Sequence, residues 1–110
     1  MVAGPPEDLR GVIPPRPVKF SDDAIVEAHA AFQWYRERSD SAAARFRDEF
    51  DRAVVAIGSS PEGWPSYVHE TRRYLFRRFP FFVVYRMTPD DIQVLAVAHA
   101  RRRPGYWKNR

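Results

Sequence analysis

The spacing of apolar residues changes once along this chain, near Arg72, and that change limits the folds open to it. Before it, apolar side chains recur at helical steps; after it, they alternate as on a pleated strand. Ile25, Ala28, Phe32 and Tyr35 draw one helical stripe, and Ala43, Phe46, Phe50, Val54 and Ile57 draw a second. Ser21 suits the cap of the first helix, and Asp22 and Asp23 suit its positive end, so a helix is expected to about Glu37. Ser39-Asp40-Ser41 interrupts the pattern and offers new caps, and Gly58-Ser59-Ser60-Pro61 closes the second helix. So short a connection predicts an antiparallel helical hairpin.

Strands flank the hairpin. Arg16-Pro17-Val18-Lys19-Phe20 alternates briefly and predicts a short first strand with Pro17 at its entry. Glu62 to His69, with Gly63 and Pro65, reads as loop. Tyr74 to Phe79, Phe81 to Met87 and Ile92 to His99 read as three consecutive antiparallel strands, with Thr88-Pro89-Asp90-Asp91 as a turn. Val94 to Val97 is apolar throughout, which places the last strand centrally. A polar tail follows from Ala100. The predicted fold class is α+β, with the order strand, two helices, three strands. The helix pair lies on one face of a small antiparallel sheet, and the opposite face carries alternate residues, several of them arginine. Residues 1–15, with Pro5, Pro6, Pro14 and Pro15, read as an irregular N-terminal extension, leaving 16–110 as the one domain.

At 110 residues the chain supports one core but little surface for a deep catalytic pocket. The absence of cysteine excludes disulfides and thiolate metal sites. The first residues lack the charged start and apolar run of a signal peptide, and the longest apolar run, Phe79 to Tyr85, is interrupted by Pro80. The expectation is a cytoplasmic protein with no membrane contact. No Walker loop, dinucleotide glycine pattern or zinc signature occurs, His29 and His69 have no partner at metal-ligand spacing, and neither cofactor nor metal is expected.

Charge is segregated. Residues 1–71 hold eight basic and twelve acidic side chains, whereas 72–110 hold ten and two. Lys19 and Lys108 are the only lysines. The arginines Arg72, Arg73, Arg77, Arg78, Arg101, Arg102 and Arg103 dominate the second half. The plain reading of such a run is a solvated face. The functional one is a seat for an anionic partner, either an acidic protein segment or nucleic acid, because the guanidinium fork matches carboxylate and phosphate.

Three stretches resemble the RelE/ParE toxin superfamily, as does the order of elements. They are Thr71-Arg72-Arg73-Tyr74 opening the second strand, Phe79-Pro80-Phe81-Phe82-Val83-Val84-Tyr85-Arg86 across a hairpin, and Val97-Ala98-His99-Ala100-Arg101-Arg102-Arg103-Pro104-Gly105-Tyr106-Trp107 at the end. The likeness runs from about Pro17 to the C-terminus. It implies the toxin of a type II toxin–antitoxin pair, neutralised by a cognate antitoxin that would be its partner in a hetero-oligomer. The closing His-x-Arg-Arg segment is more similar to the ParE, or plasmid stabilisation, branch, whose members bind DNA gyrase. RelE-like members instead cut messenger RNA in the ribosomal A site, and the basic catalytic lysines typical of that branch have no counterpart here.

Gyrase is therefore the preferred target, and a metal-independent endoribonuclease acting on the ribosome is the rival. Cleavage of RNA through its own 2′-hydroxyl needs an acid, a base and cations around the phosphate. His99 as acid or base, Arg73, Arg78 and Arg102 as phosphate clamps, and Tyr106 for stacking or proton transfer compose the candidate set. For each there is a structural alternative: His99 as a strand-end histidine, and Tyr106 with Trp107 packing the tail onto the sheet. A third reading is a basic binding domain without toxicity.

Overall fold

The computed structural model describes residues 16–110. The expected N-terminal extension, residues 1–15, lies outside the described residues. Strand β1 (Val18–Phe20) leads into helix α1 (Asp22–Arg36) and helix α2 (Asp40–Ser59). A 3₁₀ turn (Pro61–Gly63) precedes β2 (Ser66–Tyr67), β3 (Thr71–Leu75), β4 (Phe81–Met87) and β5 (Ile92–His99). The helix starts are capped as the sequence predicts. The Ser21 hydroxyl accepts the Ala24 N–H at 3.1 Å, and the Ser39 hydroxyl accepts that of Ala42 at 3.2 Å.

The sheet has five strands in the order β1-β5-β4-β3-β2. β5 is interior, as its apolar run requires. The sheet is mostly antiparallel, but β1 pairs parallel to β5, Val18 opposite Ile92 and Phe20 opposite Val94. The intervening helices supply the crossover that a parallel pair needs. Two boundaries differ from expectation. The third strand in chain order, read as Tyr74 to Phe79, begins at Thr71 and stops at Leu75. The hairpin closes through Phe76 N–H to Phe81 O at 3.0 Å, and the Glu49 carboxylate accepts the next N–H, that of Arg77. Phe76 and Phe79 mimic strand alternation because both turn inward, where each packs on Phe46. The stretch read as loop contains β2, a two-residue strand on the edge of β3.

Each helix buries a slightly different stripe from the one predicted. On α1 the fully buried residues are Ala24 and Ala31, while Ile25 is 53% exposed. Small residues let α1 approach β5 closely, so close approach rather than side-chain size selects its inner face. On α2 the inner face runs Ala43, Phe46, Glu49, Ala53 and Ile57. Between the helices and the sheet lies the larger core, in which Phe46 and Ile57 meet Val83, Tyr85, Val94 and Val97.

The opposite sheet face departs from expectation. It is not an arginine surface but a second apolar layer of Phe82, Val84, Leu95, Ala96 and Ala98, capped by Trp107, which is 1% exposed. A bulge in β5 contributes to this layer. Val84 faces Ala96 and Tyr85 faces Val94, so Leu95 is the extra residue and joins Ala96 on the tail side. The Trp107 ring also stacks on Tyr67, with centroids 5.4 Å apart. The C-terminal tail is therefore packed on the sheet by its tryptophan.

Gly105 makes that packing possible. Its φ is +84°, and a Cβ there would sit 2.7 Å from Nε2 of His69 on the β2–β3 turn. Gly105→Ala is expected to lower unfolding stability in urea by about 1–3 kcal/mol, from an unfavourable dihedral and a steric clash. Gly63→Ala, whose Cβ meets nothing nearer than 3.5 Å, is expected to change it little. Equal stability of the two variants contradicts this assignment.

Candidate functional site

Where β5 ends, the chain turns back across the mouth of a groove of about 440 Å³ between α1 and the β4–β5 end of the sheet. Trp34, Tyr35, Pro80 and Phe81 form its apolar walls, and Glu27, His99, Arg102 and Tyr106 supply its polar groups. The three sequence-predicted catalytic candidates, His99, Arg102 and Tyr106, thus share one groove, with an acidic residue that sequence reasoning missed.

Glu27 organises this corner. Its carboxylate, on a side chain 16% exposed, accepts the Val97 N–H at 3.0 Å and the Tyr106 hydroxyl at 2.8 Å. It also accepts both Nη groups of Arg110, at 2.9 and 3.1 Å. Arg110 reaches Leu95 O at 3.2 Å and pairs with Asp23 at 3.3 Å. The reason lies in the sheet. β1 pairs with β5 only as far as Val94, so the outer edge of β5 beyond it needs other partners. The Ser21 main-chain N–H reaches Val94 O at 3.0 Å and the Ser21 hydroxyl reaches Leu95 O at 3.2 Å; Glu27 and Arg110 satisfy the next groups. One signal for Glu27 was available in the sequence. It lies between Ala24 and Ala31 at helical spacing, a charge on the inward stripe. Arg110 offered none.

These bonds define what the candidates can do. Tyr106 is held neutral: burial first, then its hydrogen bond to Glu27 and that carboxylate's charge, push its hydroxyl pKa up beyond the ordinary tyrosine range. Its proton is already directed at Glu27. The Arg102 guanidinium lies over the Tyr106 ring at 3.9 Å. His99 rests edge-on against Phe81, and its Nδ1 accepts the Arg101 main-chain N–H at 3.0 Å. That bond engages Nδ1 within the turn that follows β5.

The other arginines do not gather with this group. Arg101 and Arg103 are exposed beside it. Arg73 lies on the tail side of the sheet, its guanidinium 4.2 Å from the Tyr67 ring centroid. Arg72 lies on the helix side, where it donates to Trp64 O at 2.6 Å. Arg77 and Arg78 sit in the β3–β4 turn facing α2, in a cavity they share with Arg45 and Arg52. Strand alternation and a turn thus divide what looks continuous in sequence. Among the described residues, no group of three or more His, Cys, Asp or Glu could hold a metal ion, and no helix is long and apolar enough to cross a membrane.

A second buried tyrosine joins Tyr106 in a pH prediction. Burial pushes Tyr85 up to about 12 from 10.0, and its hydroxyl donates to Pro61 O at 2.5 Å. A tyrosine whose folded-state pKa is raised stabilises the fold fully below its unfolded value, and that contribution is lost as pH climbs through the folded value. Stability is therefore expected to fall from pH 10.0 towards 12, by up to about 1.4 kcal/mol per pH unit for each tyrosine. Tyr106→Phe and Tyr85→Phe should each flatten the fall in urea midpoints. Profiles parallel to that of the unsubstituted protein contradict it.

Comparison with known proteins agrees with this architecture. A family model described as "ParE toxin of type II toxin-antitoxin system, parDE" matches residues 18–104. A solved structure described as "Chromosomal ParDE TA system from P. aeruginosa" superimposes with a TM-score of 0.67 at 20% identity, over 76% of this chain and 95% of that one. At that identity the likeness concerns the fold alone. No curated protein matches the chain significantly. The family model spans most of the chain, from β1 through the His99–Arg103 corner, and the chain belongs to the ParE toxin family of type II toxin–antitoxin systems.

Proposed function

We propose that this protein arrests growth by binding a macromolecular target, DNA gyrase in preference to the ribosome, and that a cognate antitoxin neutralises it in a hetero-oligomer. Membership of the ParE family supports the toxin role. The observation that carries binding over cleavage is the state of the candidate acid–base groups. The Tyr106 hydroxyl keeps its proton and donates a hydrogen bond to Glu27 at 2.8 Å, and His99 Nδ1 accepts the Arg101 main-chain N–H at 3.0 Å. A ribonuclease that moves a proton off a 2′-hydroxyl needs a free base near neutral pH. This corner offers a donor, cations and aromatic walls instead, which suit recognition. The antitoxin is proposed to place an acidic segment against Arg73 and the Arg101–Arg103 corner, and so to cover the surface that meets the target. The ribonuclease reading keeps one observation in its favour, the convergence of His99, Arg102 and Tyr106 on a single groove.

One paired experiment separates the two. Purified protein is assayed for inhibition of gyrase supercoiling and for cutting of ribosome-bound messenger. Inhibited supercoiling with intact messenger is expected, together with undiminished growth arrest by His99→Ala. Messenger cutting that falls by about 10²–10⁴-fold in His99→Ala would establish the enzyme instead. Growth unaffected by expression would contradict both. The antitoxin complex should tighten at low salt, because its proposed contacts join opposite charges at an exposed surface.

A further inference from the structure

A second polar site lies away from the His99 groove. Arg45 and Arg52 of α2, with Arg77 and Arg78 of the β3–β4 turn, line a cavity of about 360 Å³ that also holds Asp48 and Glu49. Helical spacing puts Arg45 four residues from Glu49, and Asp48 four from Arg52, the separation at which ion pairs form. Among the described residues, however, none of the four guanidinium groups lies within 4.0 Å of a carboxylate oxygen. Glu49 is 9% exposed, and its carboxylate is engaged by the Arg77 main-chain N–H instead. Four cations thus border one concavity with two carboxylates, a local excess of positive charge, and among the described residues none of the four is held in an ion pair.

The site also has a continuation. Ala100 N–H donates to Pro80 O at 2.8 Å, which ties the start of the Arg101–Arg103 segment to the turn that carries Arg77 and Arg78. The five arginines of these two segments are all exposed. Exposed guanidinium groups are therefore carried by both segments that this hydrogen bond joins. Guanidinium groups so distributed match an anion whose charges repeat along a chain, and planar forks match phosphate oxygens.

We propose that Arg45, Arg52, Arg77 and Arg78 form a seat for a backbone phosphate of nucleic acid, and that the strand continues towards Arg101–Arg103. The contact is to phosphate and carries no base sequence preference. The inference does not rest on gyrase as the target.

Fluorescence anisotropy with a labelled mixed-sequence DNA duplex tests it on the full chain. Arg45→Gln/Arg52→Gln changes two exposed side chains that make no hydrogen bond or ion pair among the described residues. It is compared with Arg36→Gln/Arg47→Gln, which removes equal charge from elsewhere on the hairpin, and circular dichroism checks that both are folded. Binding by the unsubstituted protein is expected to weaken with salt. In Arg45→Gln/Arg52→Gln the slope of log affinity against log salt should fall by about 2, with affinity lower by about tenfold at low salt. Arg36→Gln/Arg47→Gln should bind nearly as the unsubstituted protein does. Equal losses in the two variants, or no binding by the unsubstituted protein, would overturn the proposal. Displacement of the duplex by inorganic phosphate at matched ionic strength would mean a lone oxyanion seat and overturn it too. So would a glutamate-rich peptide that outcompetes the duplex and loses that advantage in Arg45→Gln/Arg52→Gln, since the site would then belong to protein carboxylates.

Discussion

Beside the apolar core, one carboxylate ties the helical half of this structure to its strand-and-tail half. Glu27 comes from the helical half, and all its donors come from the strand-and-tail half: the Val97 main chain, the Tyr106 hydroxyl and the Arg110 guanidinium. It serves the outer edge of β5 where β1 ends, and a partly buried carboxylate is tolerated there because its oxygens are engaged by strong donors. Removing it would leave a main-chain N–H and a hydroxyl without their acceptor and would take from Arg110 its two-pronged partner, leaving it Leu95 O and Asp23. The tail that carries Trp107 over the second apolar layer is anchored by the same bonds. A short β1 and a packed C-terminus are thus parts of one solution.

That solution also decides the character of the groove beside it. The residues that gather near His99 have the composition of a catalytic site, but their hydrogen bonds are those of an anchor. Burial and Glu27 keep Tyr106 neutral, Arg102 covers its ring, and the end of β5 fixes His99 through the Arg101 main chain. What is left open to solvent is aromatic wall and guanidinium.

Much of the architecture was legible because local signals and the final fold agree. Ser21 and Ser39 cap the helices, the Phe81–Met87 and Ile92–His99 strands lie where alternation places them, and the apolar run of β5 marks an interior strand. The misreadings have specific causes. Phe76 and Phe79 look like strand residues because periodicity reports burial, and a loop folded under a helix is buried as well. Ile25 looks like core because it is large, whereas close helix–sheet contact selected Ala24 and Ala31. The run of arginines looked like one surface because sequence adjacency does not record which face a strand residue takes. Arg72 and Arg73 point to opposite faces of the sheet, and Arg77 and Arg78 leave it altogether. His99, Arg102 and Tyr106 were predicted and do meet. Glu27, the partner of Tyr106, was visible only as a charge on an inward stripe, and Arg110, 83 residues from Glu27 in sequence, could be placed only by the fold.

Amide hydrogen exchange on Glu27→Ala tests the central role of that carboxylate most directly. The account predicts that protection falls together at Val97 and across residues 101–110, while the β3–β4 hairpin keeps its own. Unchanged protection in the tail, or a uniform loss over the whole domain, would contradict it.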